Sequence, residues 1–198
     1  MTHAPAGFRR TVAIVALLNL AYFGIEFAVA RAIGSVSLFA DSVDFLEDAS
    51  INLLIVVAIA WTARRRATVG RVLAFVILVP GVATLWTAVE KILDPVAPHP
   101  LPLGLAAFGA LVVNLGCAAL LVRYRNASGS MARAAWLSAR NDALANVAII
   151  AVAVVGIWVS SGWIDIAVGL AIALMNADAA RAVWRAAAAE ATELDPHA

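Results

Sequence analysis

The chain has 198 residues, 64% of them hydrophobic and 14% charged, with a net charge of +1 and a mean hydropathy of +0.93. Soluble domains run at about 45–50% apolar and about 25% charged, so this composition excludes an ordinary soluble domain and leaves a membrane protein. The longest basic run is Arg64-Arg65-Arg66, which excludes nucleic acid as a partner, and the single Cys117 excludes a disulfide framework or a cysteine metal site.

A helix needs about 20 apolar residues to cross a bilayer, and the sequence offers six such stretches. They run from Phe8 to Ile33, Val36 to Thr62, Val69 to Leu93, Leu101 to Val122, Met131 to Val159 and Trp163 to Trp184. Gly34-Ser35, the arginine run, the Asp94-Pro95 to Pro102 segment, Asn126 to Ser130 and Ser160-Ser161-Gly162 supply the breaks. Arg9-Arg10 followed by an apolar run resembles a signal peptide, but the run is long and holds Asn19 and Glu26, so a first membrane helix is expected. Short connections make neighbours antiparallel. If the N-terminus is cytoplasmic, that side collects Arg9, Arg10, Arg64–Arg66, Arg71, Arg123, Arg125, Arg133, Arg181 and Arg185, and the other side only Arg31 and Lys91. The positive-inside rule then places both termini in the cytoplasm, in the inner membrane of the cell. The expected layout is a tail over 1–7, a six-helix membrane domain over 8–186 and a short tail over 187–198. The fold class is an all-α membrane protein.

Ionisable groups inside membrane helices are expensive unless they face a partner or a wet cavity, so each marks a candidate function. In the second helix Asp41, Asp44 and Asp48 stand at i, i+3 and i+7 on one stripe, with Glu47 on its flank. In the fifth, Ser138, Asp142 and Asn146 stand at i, i+4 and i+8, with Asn141 beside them. At 1.5 Å rise per residue, Asp44 and Asp48 lie ~12 and ~18 Å into the second helix, and Asp142 lies ~17 Å into the fifth from the opposite side. Both sets therefore reach the middle of a core about 30 Å thick. Several desolvated carboxylates repel one another, so an empty cluster is expected to hold protons. A divalent cation requires deprotonated ligands, and its entry expels those protons. Exchange of metal for protons at one site is the core of an antiporter.

With these residues in view, the sequence resembles the cation diffusion facilitator family. The resemblance rests on Leu18 to Phe27, on Gly34-Ser35-Val36-Ser37-Leu38-Phe39-Ala40-Asp41, and on the Asp44-x-x-x-Asp48 pair followed by Asp142 and Asn146 on the fifth helix. It implies a homodimeric divalent-metal/proton antiporter that exports metal by alternating access through a four-ligand site: Asp44, Asp48 and Asp142, completed by Ser138, Asn141, Glu47 or water. Asp41, Glu47, Asn141 and Asn146 are accessory or proton-relay candidates. Ser138 stands where the family commonly has histidine, and no histidine lies in any predicted helix. The sequence also ends soon after the sixth expected helix, so a short form without the family's C-terminal cytoplasmic domain is expected. An oxygen-rich site is harder than the usual zinc site, although zinc, manganese, cobalt and cadmium all accept carboxylate. No prosthetic group is expected; the divalent metal is cargo. The partners are that metal, protons, the lipid bilayer and a second copy of the chain.

Other polar residues carry weaker expectations. Glu47 is expected to pair with Arg140, and Asn19 and Asn114 to bond across helices. Glu26 and Asp165, toward the extracytoplasmic ends, are expected to be solvated. Asp178 with Asn176 flanks an exit or entry path, and the six tryptophans serve mainly as interfacial anchors. His3, His99 and His197 fall in tails or a proline-rich loop without a nearby partner. Two alternatives compete with transport by the chain itself. One is a non-transporting subunit of a metal transporter. The other is a magnesium-dependent membrane transferase that binds a diphosphate through the aspartates. The second would need small and basic residues around Asp44 and Asp48, where the sequence has Phe45 and Leu46.

Overall fold

A computed structural model describes residues 7–58, 68, 72, 82–124 and 129–175, with backbone alone for 57–58 and 129–138. Among these residues every regular element is a helix. We name them α1 (Phe8–Ile33), α2 (Val36–Ala58), α3 (82–93), α4 (Pro100–Leu121), α5 (Gly129–Val155) and α6 (Gly162–Met175). The expected first helix is found at its expected bounds. The second begins where expected, and its last expected turn lies outside the described residues, as do much of the third helix and the end of the sixth. The fifth stops four residues short of expectation. There Gly156 returns its N–H to Val152 at 2.8 Å and residues 156–158 form a turn.

Helix ends follow from the residues that punctuate them. Gly34 adopts the left-handed conformation (φ 62°), and the N–H groups of Gly34 and Ser35 both return to the carbonyl of Ala30. Only Gly34 and Ser35 separate α1 from α2, so the two helices form an antiparallel hairpin. At the start of α4 a proline occupies the first turn, where its missing N–H costs nothing.

α1 packs most extensively on α2, and α4 on α5; α1 also meets α4, and α2 meets α5. These four helices form a bundle whose interior is layered. One apolar cluster joins Ala30, Leu38–Ala40, Leu103, Ala106, Ala107, Ile149, Val152 and Ala153. The other joins Phe8, Val12, Val15, Ile55, Cys117, Leu121, Tyr124 and Ala139. Cys117 is thus a buried member of an apolar cluster, as its surroundings in the sequence suggest.

Along each of the four helices, the buried carboxylate and amide side chains fall between these two clusters. α1 contributes Asn19 and Glu26, α2 Asp41, Glu47, Asp48 and Asn52, α4 Asn114, and α5 Asn146. The outside is inverted relative to a soluble protein. Leu17, Leu20, Ile25, Leu101, Leu105, Phe108 and Leu115 are exposed, while Asp41, Asp48, Asn114 and Asn146 are buried. An exposed apolar shell around a polar interior is stable in lipid and would associate in water. By length and hydropathy two described helices, α1 and the stretch Pro100–Val122, are apolar enough to cross a membrane. α2 differs from these two in carrying four carboxylates, Asp41, Asp44, Glu47 and Asp48, within eight residues.

Close approach between α1 and α4 rests on Gly109. A Cβ there would collide with the Tyr22 ring, whose hydroxyl donates to the Ala106 carbonyl at 2.6 Å. Tyr22 also stacks at a tilt on Phe45, 5.1 Å between centroids, so one residue ties α1 to both α4 and α2.

Candidate cation site

The polar layer is organised by antiparallel register between α2 and α5. Asp41 accepts a hydrogen bond from the Asn146 amide. The carboxyls of Asp48 and Asp142 come within hydrogen-bonding reach of each other. Moving forward along α2 from Asp41 to Asp48 thus means moving backward along α5 from Asn146 to Asp142. Asn146 in turn accepts from Asn114 of α4 at 2.9 Å. On the other side Glu26 of α1 lies beside the Asp41 carboxyl, although neither Glu26 oxygen makes a hydrogen bond. A polar chain therefore crosses all four helices: Glu26, Asp41, Asn146, Asn114. The expected cross-helix role of Asn114 is met, and Asn19 accepts a long, weak bond from the Cys117 thiol at 3.9 Å.

Asp44 and Asp142 are half-buried, whereas Asp41, Glu47 and Asp48 are buried. Asp44 lies within electrostatic range of Asp142, Asp41, Glu47 and Asp48, a concentration of like charge that only protons or a cation can relieve. Both Glu26 oxygens, both Glu47 oxygens and Oδ1 of Asp41 are buried without a hydrogen-bond partner. Unpartnered buried carboxylate oxygens are costly in any protein and more so away from water. The layer is therefore unsatisfied as it stands and is suited to accept a positive ligand. Among the described residues, no three His, Cys, Asp or Glu side chains converge into a ready-made cation cage. The carboxylates share a layer but do not yet share a focus.

Several expectations meet different surroundings. Glu26 and Asp165, expected in solvent, are both wholly buried. For Asp165 the cause is a set of donors that the sequence separates widely. It accepts from the Ser35 hydroxyl at 2.7 Å, the Ser37 hydroxyl at 2.6 Å, the Val36 N–H at 2.9 Å and the Lys91 ammonium at 3.0 Å. Glu47 does not hydrogen-bond to Arg140, since neither of its oxygens has a partner. Arg140 is exposed and donates to Asn141 at 3.4 Å, so both side chains lie on the outer face of α5. Ser138 occupies a helical position one turn before Asp142, and its side chain lies outside the described residues. Asn176, Asp178, His3 and His197 lie outside them too. Trp158 and Trp163 expose their rings on either side of the α5–α6 turn, a position suited to interfacial anchoring.

The model of the cation efflux transmembrane domain matches residues 12–190. The chain belongs to the cation efflux family. No curated protein matches it. As a member of the cation efflux family it is a membrane protein of a metal-cation transport class, and that family is one of transporters rather than enzymes. The layered bundle gives this membership a physical basis. A cation efflux protein needs polar ligands inside an apolar shell, and here the four helices alternate apolar, polar and apolar in common register.

Proposed function

We propose that this cation efflux protein exports a divalent transition metal from the cytoplasm in exchange for protons, by alternating access. The observation that carries the proposal is the meeting of Asp48 on α2 with Asp142 on α5 inside the polar layer, with Asp44 beside them. Asp44, Asp48 and Asp142 would bind the metal, with Ser138 as fourth ligand. Asp41 and Asn146 would take part in proton movement. Zinc, manganese, cobalt and cadmium all suit an oxygen-rich site of this charge. Metal binding requires free carboxylates, so each metal that enters displaces protons and each proton that returns favours metal release. The cycle is thereby coupled without a second cofactor. The arginine distribution favours both termini in the cytoplasm of an inner-membrane protein, and the lipid-facing shell is compatible with a homodimer.

The test is reconstitution into proteoliposomes with a trapped pH-sensitive dye and a panel of divalent metals outside. Metal influx should be matched by proton efflux, and at least one metal of the panel should be transported. Asp48→Ala combined with Asp142→Ala should reduce metal flux to that of empty vesicles. Full flux in that double variant would refute the site.

A further inference from the structure

The junction between α2, α3 and α6 lies outside the proposed cation site, yet it contains the most heavily hydrogen-bonded carboxylate among the described residues. Oδ1 of Asp165 accepts from the Ser35 hydroxyl, the Ser37 hydroxyl and, at 3.3 Å, the Ser37 N–H. Oδ2 accepts from the Val36 N–H and from Lys91. Lys91 on α3 also donates to the Gly34 carbonyl, so the ion pair holds the α1–α2 turn from two sides.

Capping explains why these donors gather there. The first N–H groups of a helix have no partner within it. Ser35 caps α2 locally, taking the Leu38 N–H on its hydroxyl at 3.2 Å. The preceding two N–H groups, of Val36 and Ser37, are taken by Asp165 from a different helix. The negative carboxylate also faces the positive end of the α2 dipole. Two further features press α6 onto the same spot. Gly169, one turn beyond Asp165, lies so close that a Cβ on it would sit 2.6 Å from the Ser37 nitrogen. Val36, Ala88 and Ile166 close an apolar cluster around the junction, with Leu170 against it.

We propose that Asp165, with Lys91 as counter-ion, is a positioning residue for cation binding: it caps α2 from α6 and so fixes the height and rotation of Asp44 and Asp48 relative to Asp142. This rests on the cation site proposed above. α2 is unbroken from Val36 through Asp48, so a shift or rotation at its first turn is carried to the carboxylates. Metal coordination tolerates displacements of only about 0.2 Å, so a loosened start of α2 weakens binding before it unfolds the helix.

The experiment uses the full chain in proteoliposomes, with a metal that the wild-type protein moves. Asp165→Asn should raise the KM for that metal by about tenfold, as loss of a supporting contact does at metal sites, and leave the maximal rate within about twofold. A covalent substitute for the clamp separates positioning from general folding. Val36→Cys and Ile166→Cys, added to Asp165→Asn with Cys117→Ser, should return the KM toward wild type when the disulfide is formed with diamide. The KM should rise again under reductant. A KM that stays raised after cross-linking, or one that Asp165→Asn never raises, would overturn the proposal.

Amide hydrogen exchange of the 35–41 segment reads the clamp without any transport. In Asp165→Asn it should accelerate there and remain unchanged in α4. A wild-type protein that moves no divalent cation would defeat the proposed function alone. Exchange at 35–41 would then still decide the cap, and no acceleration would overturn it. If Asp165→Asn does not fold, Ser35→Ala with Ser37→Ala removes two of the donors and keeps the ion pair. It should shift KM and exchange in the same directions by a smaller amount, and an unchanged KM and exchange would overturn the cap.

Discussion

Asn146 holds the polar layer together because an amide has both a donor and an acceptor to offer. It donates to Asp41 and accepts from Asn114, joining three helices through one side chain. Leucine in its place would keep the bulk, strip Asp41 of its donor and leave the Asn114 amide without an acceptor. Leaving a buried polar group without its partner costs about 1–3 kcal/mol, more when the group is charged. Asn146→Leu should therefore lower the thermal midpoint in detergent clearly, and Asn146→Ser, which keeps a donor and an acceptor, should lower it less. The carboxylates behave differently, because their unpartnered oxygens make the empty layer unfavourable. Replacing Glu47 by glutamine removes one source of like-charge repulsion. Glu47→Gln should leave thermal stability without metal unchanged or raised, as read by the same melting experiment.

At the scale of the helix, glycine decides where elements can meet. Gly34 holds a left-handed conformation in the two-residue connection between α1 and α2. A side chain at such a position costs about 1–2 kcal/mol, so Gly34→Ala should lower stability by that amount in a denaturation series. Gly169 acts through contact instead of conformation, since a side chain on it would run into the backbone of Val36 and Ser37. Backbone cannot move aside as a flexible side chain can. Gly169→Val should therefore displace α6 from α2 and sharply reduce the yield of monodisperse protein in size-exclusion chromatography. Gly24 has open space around it, and the matching Gly24→Val change should be tolerated. Helix boundaries were largely legible beforehand because glycine, proline and serine mark them locally. Contacts such as Gly169 on Ser37 were not, because nothing in either segment's own pattern refers to the other.

For the molecule as a whole, the layered interior links transport to pH. Protons and metal compete for the same carboxylates in the proposed cycle. Lowering the pH on the metal-loading side should raise the KM for metal, and raising it should lower the KM. Initial-rate measurements at several pH values on the loading side, with the opposite side held constant, would check the sign. A KM that does not respond to pH would mean that protons do not use the metal site. The exposed Trp86, Trp158, Trp163 and leucines suit the outer surface to lipid, so the proposed competition would take place where water is scarce and charge interactions are strong.

Hydrophobicity alone placed most of the helices. The i, i+3, i+7 stripe of Asp41, Asp44 and Asp48 and the matching face of the fifth helix identified the polar layer, because helical period and rise fix both direction and depth. Sequence could also propose that two helices meet, since both sets fell at one depth. It could not say which residue faces which. The pairing of Asp41 with Asn146 depends on antiparallel register, set by packing along the whole length of both helices. Glu26 and Asp165 were placed in solvent on their distance from the helix middles, and both are buried. Burial of a charge is decided by what surrounds it in space. For Asp165 that is Lys91, two serines and the first N–H groups of α2, gathered from two distant parts of the chain. The sequence by itself determined that this protein keeps carboxylates inside a membrane bundle. Only the tertiary structure decided which of them are joined in a layer and which one caps a helix, because those roles depend on neighbours far away in the chain.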